Sequence, residues 1–172
     1  RPTSTSRSTP DWSTKAARPT ALFMSRLHPK NNVVGLIEAW RHVVDACPDA
    51  QLWIAGDGDE AYVQTLRDTV RRHDLDETVS FLGFVRGEEK ERVLREAWAF
   101  ALPSHQENFG VAVLEAVAAG LPVVISGEVQ LRAFVETNDL GVVVDREDPA
   151  RIADGLCALL GDEERRRAVA ER

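Results

Sequence analysis

The sequence has no apolar run that approaches the roughly 18 residues needed to cross a bilayer, and no basic and apolar signal segment opens it. Cysteine is scarce: Cys47 and Cys157 both lie in segments with amphipathic helical spacing. Two thiols on helices are more often reduced and packed, although the sequence leaves a disulfide open. We therefore expect a cytoplasmic protein, or one that acts at the cytosolic face of a membrane.

The motifs of several metal and nucleotide sites are also missing. No Cys/His cluster has zinc spacing, and the nearest approach to a metal-binding acid pair, Asp57-Gly58-Asp59, is more typical of a turn. No GxGxxG motif follows the first apolar run, and there is no P-loop. The sequence thus argues against an NAD-type dinucleotide fold and predicts no metal site.

Charge is unevenly distributed along the chain. The formal net charge at pH 7 is −7, yet the first eighteen residues carry more basic than acidic side chains. The remainder is therefore more acidic than the whole, which argues against a nucleic-acid-binding surface. A phosphate ligand would have to be held by a few local donors.

Length and patterning predict one α/β domain preceded by a linker. The chain has 172 residues, of which 44% are hydrophobic, enough for a core. Residues 1–18 lack apolar periodicity and are rich in Ser, Thr, Pro and Arg, so we expect a flexible linker or disordered tail. In residues 19–172, six apolar runs alternate with segments of helical spacing. They predict a Rossmann-like, doubly wound, mostly parallel sheet of about six strands: 21–24, 51–55, 79–82, 99–103, 122–125 and 141–144.

Three loops that follow predicted strands carry notable polar side chains: 25–32, 83–86 and 104–110. Ligands of parallel α/β sheets bind beyond the carboxyl ends of the strands, so we expect these loops to share one rim. The guanidinium of Arg26 suits phosphate oxygens because it offers several donors in one plane. A solvated basic loop before a helix is an equally good interpretation of Arg26.

Two carboxylates flank the start of the helix predicted after the fourth strand. Glu107 lies in the preceding loop, Gly110 directly precedes the helix, and Glu115 lies in its second turn. Backbone amides at a helix N-terminus attract anions, and carboxylates accept hydrogen bonds from vicinal hydroxyls, so the arrangement suits a nucleotide-sugar. Alternatively, Glu107 caps the helix and Glu115 is a surface acid; however, Glu115 lies among Val, Ala and Leu and needs a partner.

These segments resemble the carboxyl-terminal, donor-binding domain of the GT-B glycosyltransferases, in the retaining group called glycosyl transferases group 1 or family 4. Residues 107–115 are similar to its Glu-x7-Glu motif, and residues 116–124 (Ala-Val-Ala-Ala-Gly-Leu-Pro-Val-Val) to the usual continuation. Residues 25–30 (Ser-Arg-Leu-His-Pro-Lys) resemble its phosphate-binding loop. Two further blocks match at 54–58 and 81–85, and the likeness extends over residues 20–172.

The resemblance implies a nucleotide-diphosphate sugar as donor substrate, transfer with retention, and no tightly bound metal or cofactor. Arg26 would bind the diphosphate, Glu107 the sugar hydroxyls and Glu115 the ribose. The departing diphosphate would be stabilised by positive groups and helix dipoles. Backbone amides would line the sugar and phosphate, and a second loop would border the base; these residues are Asn108, Phe109 and Gly110, and Gly83, Phe84 and Val85.

Two departures from the family pattern affect the expected activity. The family has a lysine five residues after the arginine, but Asn31 occupies that position and cannot supply a charge. Either Lys30 reaches the phosphates beside Asn31, as a third catalytic residue with Arg26 and Glu107, or the activity is weak or lost.

The larger departure is that the 172 residues contain no counterpart of the family's amino-terminal, acceptor-binding domain. We expect the isolated chain to bind donor without appreciable transfer, and any peripheral membrane association to go through the missing domain. A non-catalytic nucleotide-sugar-binding or assembly module, and a sugar-nucleotide epimerase of the same architecture, are the alternatives.

Overall fold

A six-stranded parallel sheet forms the centre of the protein. The structure, a computed structural model, describes residues 12–105, 111–127 and 131–172. Its strands are β1 (Thr20–Met24), β2 (Gln51–Ala55), β3 (Val79–Gly83), β4 (Ala99–Leu102), β5 (Val123–Ser126) and β6 (Gly141–Val144). They pair in the order β3-β2-β1-β4-β5-β6, and every neighbouring pair is parallel. The predicted Rossmann-like α/β fold of about six strands is confirmed.

Helices connect the strands, because a parallel pair cannot be joined by a tight turn. They are α1 (Val33–Ala46), α2 (Glu60–Arg72), α3 (Gly87–Glu96), α4 (Val111–Ala118) and α5 (Arg132–Thr137), with α6 (Pro149–Leu160) and α7 (Glu163–Ala170) after β6. Asp148 and Asp162 cap α6 and α7 by accepting a hydrogen bond from a backbone N–H of the first turn. Among the described residues, no helix is both long enough and apolar enough to cross a membrane.

The middle of the sheet is apolar on both faces. All residues of β1, β4 and β5 are buried, as their runs of Ala, Val, Leu, Ile and Phe predict. Helix α1 packs against α2 and α6. Its Trp40 is fully buried, and the indole N–H donates to Thr78 Oγ1 at 3.1 Å. The indole N–H of Trp40 therefore keeps a hydrogen-bond partner although the ring is buried.

The direction in which strands are added reverses between β1 and β4, which are neighbours at the centre of the sheet. The chain runs from β1 through β2 to β3 on one side, then crosses to β4, β5 and β6 on the other. Ala21 pairs with Ala99, and Leu22 with Phe100. In open α/β sheets, the crevice beyond the carboxyl ends at such a switch point is the usual ligand site.

Residues 12–18, which the sequence assigns to a flexible linker, are described by the structure and contact the domain. Trp12–Thr14 form a short 3-10 helix. The Ala16 backbone N–H donates to the Glu96 carbonyl at 2.9 Å, and the Trp98 indole donates to the Ala16 carbonyl at 2.8 Å. Hydrogen bonds to backbone carbonyls need no apolar periodicity, which explains why the pattern did not reveal these contacts.

Lys15, in this same segment, is partly buried, and its Nζ donates to the Ala97 carbonyl at 2.8 Å. Burial, with a smaller contribution from the charge of Arg166, lowers the pKa of Lys15 from 10.5 to about 8. Between those two values the unfolded chain still binds a proton that the native protein has released. The contribution of Lys15 to the free energy of unfolding should therefore become more favourable to the native state as the pH increases from about 8 to 10.5.

The comparison that isolates this contribution is between the wild-type chain and the Lys15→Met variant, by urea unfolding at several pH values. The difference in unfolding free energy should shift in favour of the wild type as pH rises through this window. Titration of other groups is common to both proteins and cancels. Two parallel pH curves would contradict the account.

The two cysteines lie on the packed pair of helices α1 and α6, Cys47 at the end of α1 and Cys157 within α6. Both are free thiols and partly buried. Burial, and next the neighbouring Cys47, raise the pKa of Cys157 to about 11. At neutral pH Cys157 is therefore a protonated, weakly reactive thiol.

Candidate functional site

A cleft of about 480 Å³ opens at the switch point, beyond the carboxyl ends of β1, β2 and β3. We call it the rim cleft. Each of three strands contributes its following loop, and helices α3 and α4 close the side. Its lining residues are Met24 at the end of β1, followed by Ser25 and Arg26; Ala55 at the end of β2, followed by Gly56 and Asp57; Phe84, Val85 and Arg86 after β3; Lys90 of α3; and Val111, Ala112 and Glu115 of α4.

The rim cleft brings together four residues that the sequence assigns to ligand binding: Arg26, Phe84, Val85 and Glu115. Arg26 is exposed to solvent. Phe84 is 62% exposed, so its ring offers a free apolar face, whereas Val85 is buried. A cationic donor, an apolar surface and a carboxylate therefore border one volume, as a ligand with phosphate, ring and hydroxyl groups requires.

Gly83 is not among the described residues that line the cleft, but its backbone joins two of the loops. Its carbonyl accepts a hydrogen bond from the Gly56 N–H at 2.7 Å. The Ser25 N–H in turn donates to the Ala55 carbonyl at 3.2 Å. These backbone bonds fix the loops after β1, β2 and β3 relative to one another.

Gly56 brings its Cα against the backbone of the loop after β1. Its φ is +143°, and a Cβ built on it would lie 1.9 Å from the Ser25 carbonyl oxygen. No side chain fits at that distance. Glycine at this position therefore permits the close approach that forms the floor of the rim cleft.

Asn31 is 1% exposed and does not line the rim cleft. Its Nδ2 donates to Ser25 Oγ at 3.2 Å and to the Arg26 carbonyl at 2.6 Å, and its Oδ1 accepts from Ser104 Oγ at 3.3 Å. The side chain thus links the loop after β1 to the loop after β4. Its amide atoms are therefore bonded within the protein, and the donor contact of Asn31 stays a prediction.

Lys30 is exposed, and it too lies outside the lining of the rim cleft. Its backbone carbonyl accepts a hydrogen bond from the His105 N–H at 2.7 Å. The 3-10 turn Pro29–Asn31 turns the backbone here, and the His28 side chain caps it by accepting from the Lys30 N–H. The structure therefore does not bring Lys30 together with Arg26 and Glu115 in the cleft.

Glu115 has a partner that the sequence did not reveal. Its Oε2 forms an ion pair with Nζ of Lys90, and each side chain is about one third exposed. Lys90 lies in the charged run 88–92, which has the pattern of a solvated helix face. Its position in the chain could have indicated a role, because Lys90 lies in the first turn of the helix that follows the loop predicted to border the site.

Four residues of the predicted site, Glu107, Asn108, Phe109 and Gly110, lie outside the described residues. Their roles stay predictions. The described residues show no group of three or more His, Cys, Asp or Glu side chains that could hold a metal ion. In the described lining, cationic side chains come from Arg26, Arg86 and Lys90.

A larger cleft, of about 690 Å³, lies along the edge strand β6. Its lining consists of 141–145 and residues from α5, α6 and α7. This cleft is three strands away from β1 and does not adjoin the switch point. We place the candidate site in the smaller rim cleft because the loops after three strands converge there.

The strand order and the helices around the sheet define a Rossmann-like domain of the α/β class. The chain belongs to the family described as "Glycosyl transferases group 1", which matches residues 6–172. One relative, a GDP-mannose-dependent monoacylated alpha-(1-6)-phosphatidylinositol monomannoside mannosyltransferase from Corynebacterium glutamicum, is 36% identical over 152 residues. That match covers 84% of this chain and 39% of the relative.

Solved structures of glycosyltransferases have the same fold. The carboxyl-terminal domain of a group 1 glycosyl transferase family protein from Francisella tularensis superposes with a TM-score of 0.80 at 21% identity, covering 92% of this chain and 84% of that one. The Anabaena protein Alr3699/HepE, in complex with UDP and glucose, gives 0.79 at 24% identity, covering 89% and 41%. This chain is thus similar to the carboxyl-terminal half of the GT-B fold, and it spans 35–40% of the length of the curated relatives it matches.

Proposed function

We propose that this chain is the donor-binding domain of a glycosyltransferase that transfers a sugar, with retention, from a nucleotide-diphosphate sugar to an acceptor. The observation that carries the proposal is the convergence of Arg26, Phe84 and Glu115 on the rim cleft at the switch point. Membership of a glycosyltransferase family supports the reaction class. The UDP and glucose bound by the Anabaena protein support the class of ligand.

Each part of the donor has a matching group. Arg26 would bind the diphosphate and stabilise the charge that develops on it as the sugar departs. The Glu115 carboxylate would accept hydrogen bonds from the ribose hydroxyls, and Phe84 with Val85 would border the base. Glu107 would bind the sugar hydroxyls, and the amides of 108–110 would line the sugar and phosphate.

The base and the sugar are open within this proposal. The name of the Corynebacterium relative specifies GDP-mannose, whereas the Anabaena structure holds UDP and glucose. An apolar ring such as Phe84 stacks on either base, so it does not select between them. Titration with UDP, GDP and their sugar conjugates separates the candidates.

We propose that an acceptor-binding domain completes the enzyme, since this chain matches less than half of the length of each of these curated relatives. The chain alone would bind donor but transfer little sugar. The enzyme would act in the cytoplasm or at the cytosolic face of a membrane, and would reach that membrane through the acceptor domain.

A non-catalytic nucleotide-sugar-binding module is the second candidate, and Asn31 favours it. The family lysine would bring a charge to the phosphate loop, whereas the Asn31 amide is used internally. Sugar transfer at a rate usual for the family, by a polypeptide that joins this chain to an acceptor domain, would exclude this candidate.

A comparison of Arg26→Ala with Lys30→Ala tests where the diphosphate binds. We expect Arg26→Ala to weaken UDP or GDP binding about tenfold, because a charge-assisted hydrogen bond is lost. Lys30→Ala should weaken it less than about threefold, since Lys30 lies outside the cleft. Isothermal titration calorimetry with nucleoside, monophosphate and diphosphate measures both effects. A larger loss from Lys30→Ala than from Arg26→Ala would reject this assignment of the diphosphate.

A further inference from the structure

Lys90 and Glu115 form an ion pair that joins two helices across the wall of the rim cleft. Lys90 lies on α3 and Glu115 on α4, and both side chains line the cleft. Pairs such as Arg92–Glu96 and Arg167–Glu163 instead lie one turn apart on a single helix. An exposed pair of that kind adds little to stability. In the Lys90–Glu115 pair each side chain is about one third exposed, and because the pair bridges two helices it fixes where the two charged groups point.

The pair has hydrogen-bonding capacity left for a ligand. A carboxylate has about four lone-pair sites, and an ammonium group has three N–H donors. One contact between them leaves acceptor sites on Glu115 and donors on Lys90, side by side at the cleft. A vicinal diol needs this combination, because each hydroxyl both donates and accepts a hydrogen bond.

We propose that Lys90 is a specificity-determining residue, which together with Glu115 makes the cleft select ribonucleotides over 2′-deoxyribonucleotides. This inference rests on the proposed function, since it takes the ribose of the donor as the ligand of Glu115. Lys90 holds the carboxylate toward the cleft and donates to a ribose hydroxyl oxygen. A 2′-deoxyribose lacks one of the hydroxyls that these two charged groups would bind, and sites built around a hydroxyl strongly reject ligands that lack it.

The test measures dissociation constants of UDP, GDP and their 2′-deoxy counterparts for the wild type and four variants. Lys90→Met and Lys90→Gln remove the ammonium, whereas Lys90→Arg keeps a cationic donor. Arg92→Met is the matched control, because Arg92 lies on the same helix but pairs with Glu96 outside the cleft. Thermal melting of each variant establishes that it is folded.

We expect the wild type to prefer the ribonucleotide by about tenfold or more. In Lys90→Met and Lys90→Gln that ratio should fall below about threefold, while Lys90→Arg and Arg92→Met should keep most of it. A wild-type ratio near one, an unchanged ratio in both neutral variants, or an equal loss of affinity for both sugars would overturn the role of Lys90. The absence of nucleotide binding by the wild type would instead reject the proposed function itself.

Discussion

Replacing Glu115 by alanine should weaken the binding of UDP or GDP about 10- to 150-fold. The ribose hydroxyls would lose a charged acceptor, and such a hydrogen bond is worth about 1.5–3 kcal/mol. The loss should be this large because the carboxylate is only one third exposed and lines the rim cleft. Calorimetry on the folded variant measures the change.

Two variants make this result specific. Glu115→Gln keeps the shape and one acceptor oxygen but removes the charge, so its affinity should lie between those of the wild type and Glu115→Ala. Glu91→Ala removes an exposed carboxylate from α3 that does not line the cleft, and it should bind nucleotide normally. If Glu115→Ala bound as well as Glu91→Ala, the ribose assignment would be wrong.

Gly56→Ala should lower the free energy of unfolding by about 2–5 kcal/mol. The added Cβ would lie 1.9 Å from the Ser25 carbonyl oxygen, so the two loops would have to move apart. Overpacking of this kind costs about 1–3 kcal/mol, and a left-handed φ of +143° adds about 1–2 kcal/mol for a residue with a Cβ. Urea unfolding measures the loss.

Gly83→Ala provides the matched control. Gly83 also has a positive φ, of +74°, but a Cβ there would meet no atom within 4 Å. Gly83→Ala should therefore lower the free energy of unfolding only by the cost of a positive φ, about 1–2 kcal/mol. Equal losses from the two substitutions would mean that the close approach of Gly56 to Ser25 contributes nothing to stability.

The fold could be predicted because its central strands are buried on both faces. The segments that became β1, β4 and β5 are continuous apolar runs, which few other structures accommodate. Helical spacing between the runs then required parallel pairing. Residues 12–18 differ, since Ala16 is held by backbone hydrogen bonds and by the Trp98 indole, neither of which has a sequence period.

The site could be predicted only in part. Arg26, Phe84 and Glu115 follow from their positions after strands and within α4, and the structure brings them into one cleft. Lys90 was not predicted as a site residue, because a lysine among Glu and Arg residues has the pattern of any solvated helix. The burial of Asn31 depends on its contact with Ser104, 73 positions away in the chain, which spacing along the sequence cannot reveal.

The most direct test of the account is where nucleotides bind on this chain. Backbone amide chemical shifts, followed by NMR during titration with UDP and GDP, locate the site residue by residue. We predict that the largest changes with at least one of them fall on Arg26, Gly56, Val85 and Glu115, around the rim cleft. Changes confined to 141–145 along β6, or no change with either nucleotide, would contradict a donor site at the switch point of the sheet.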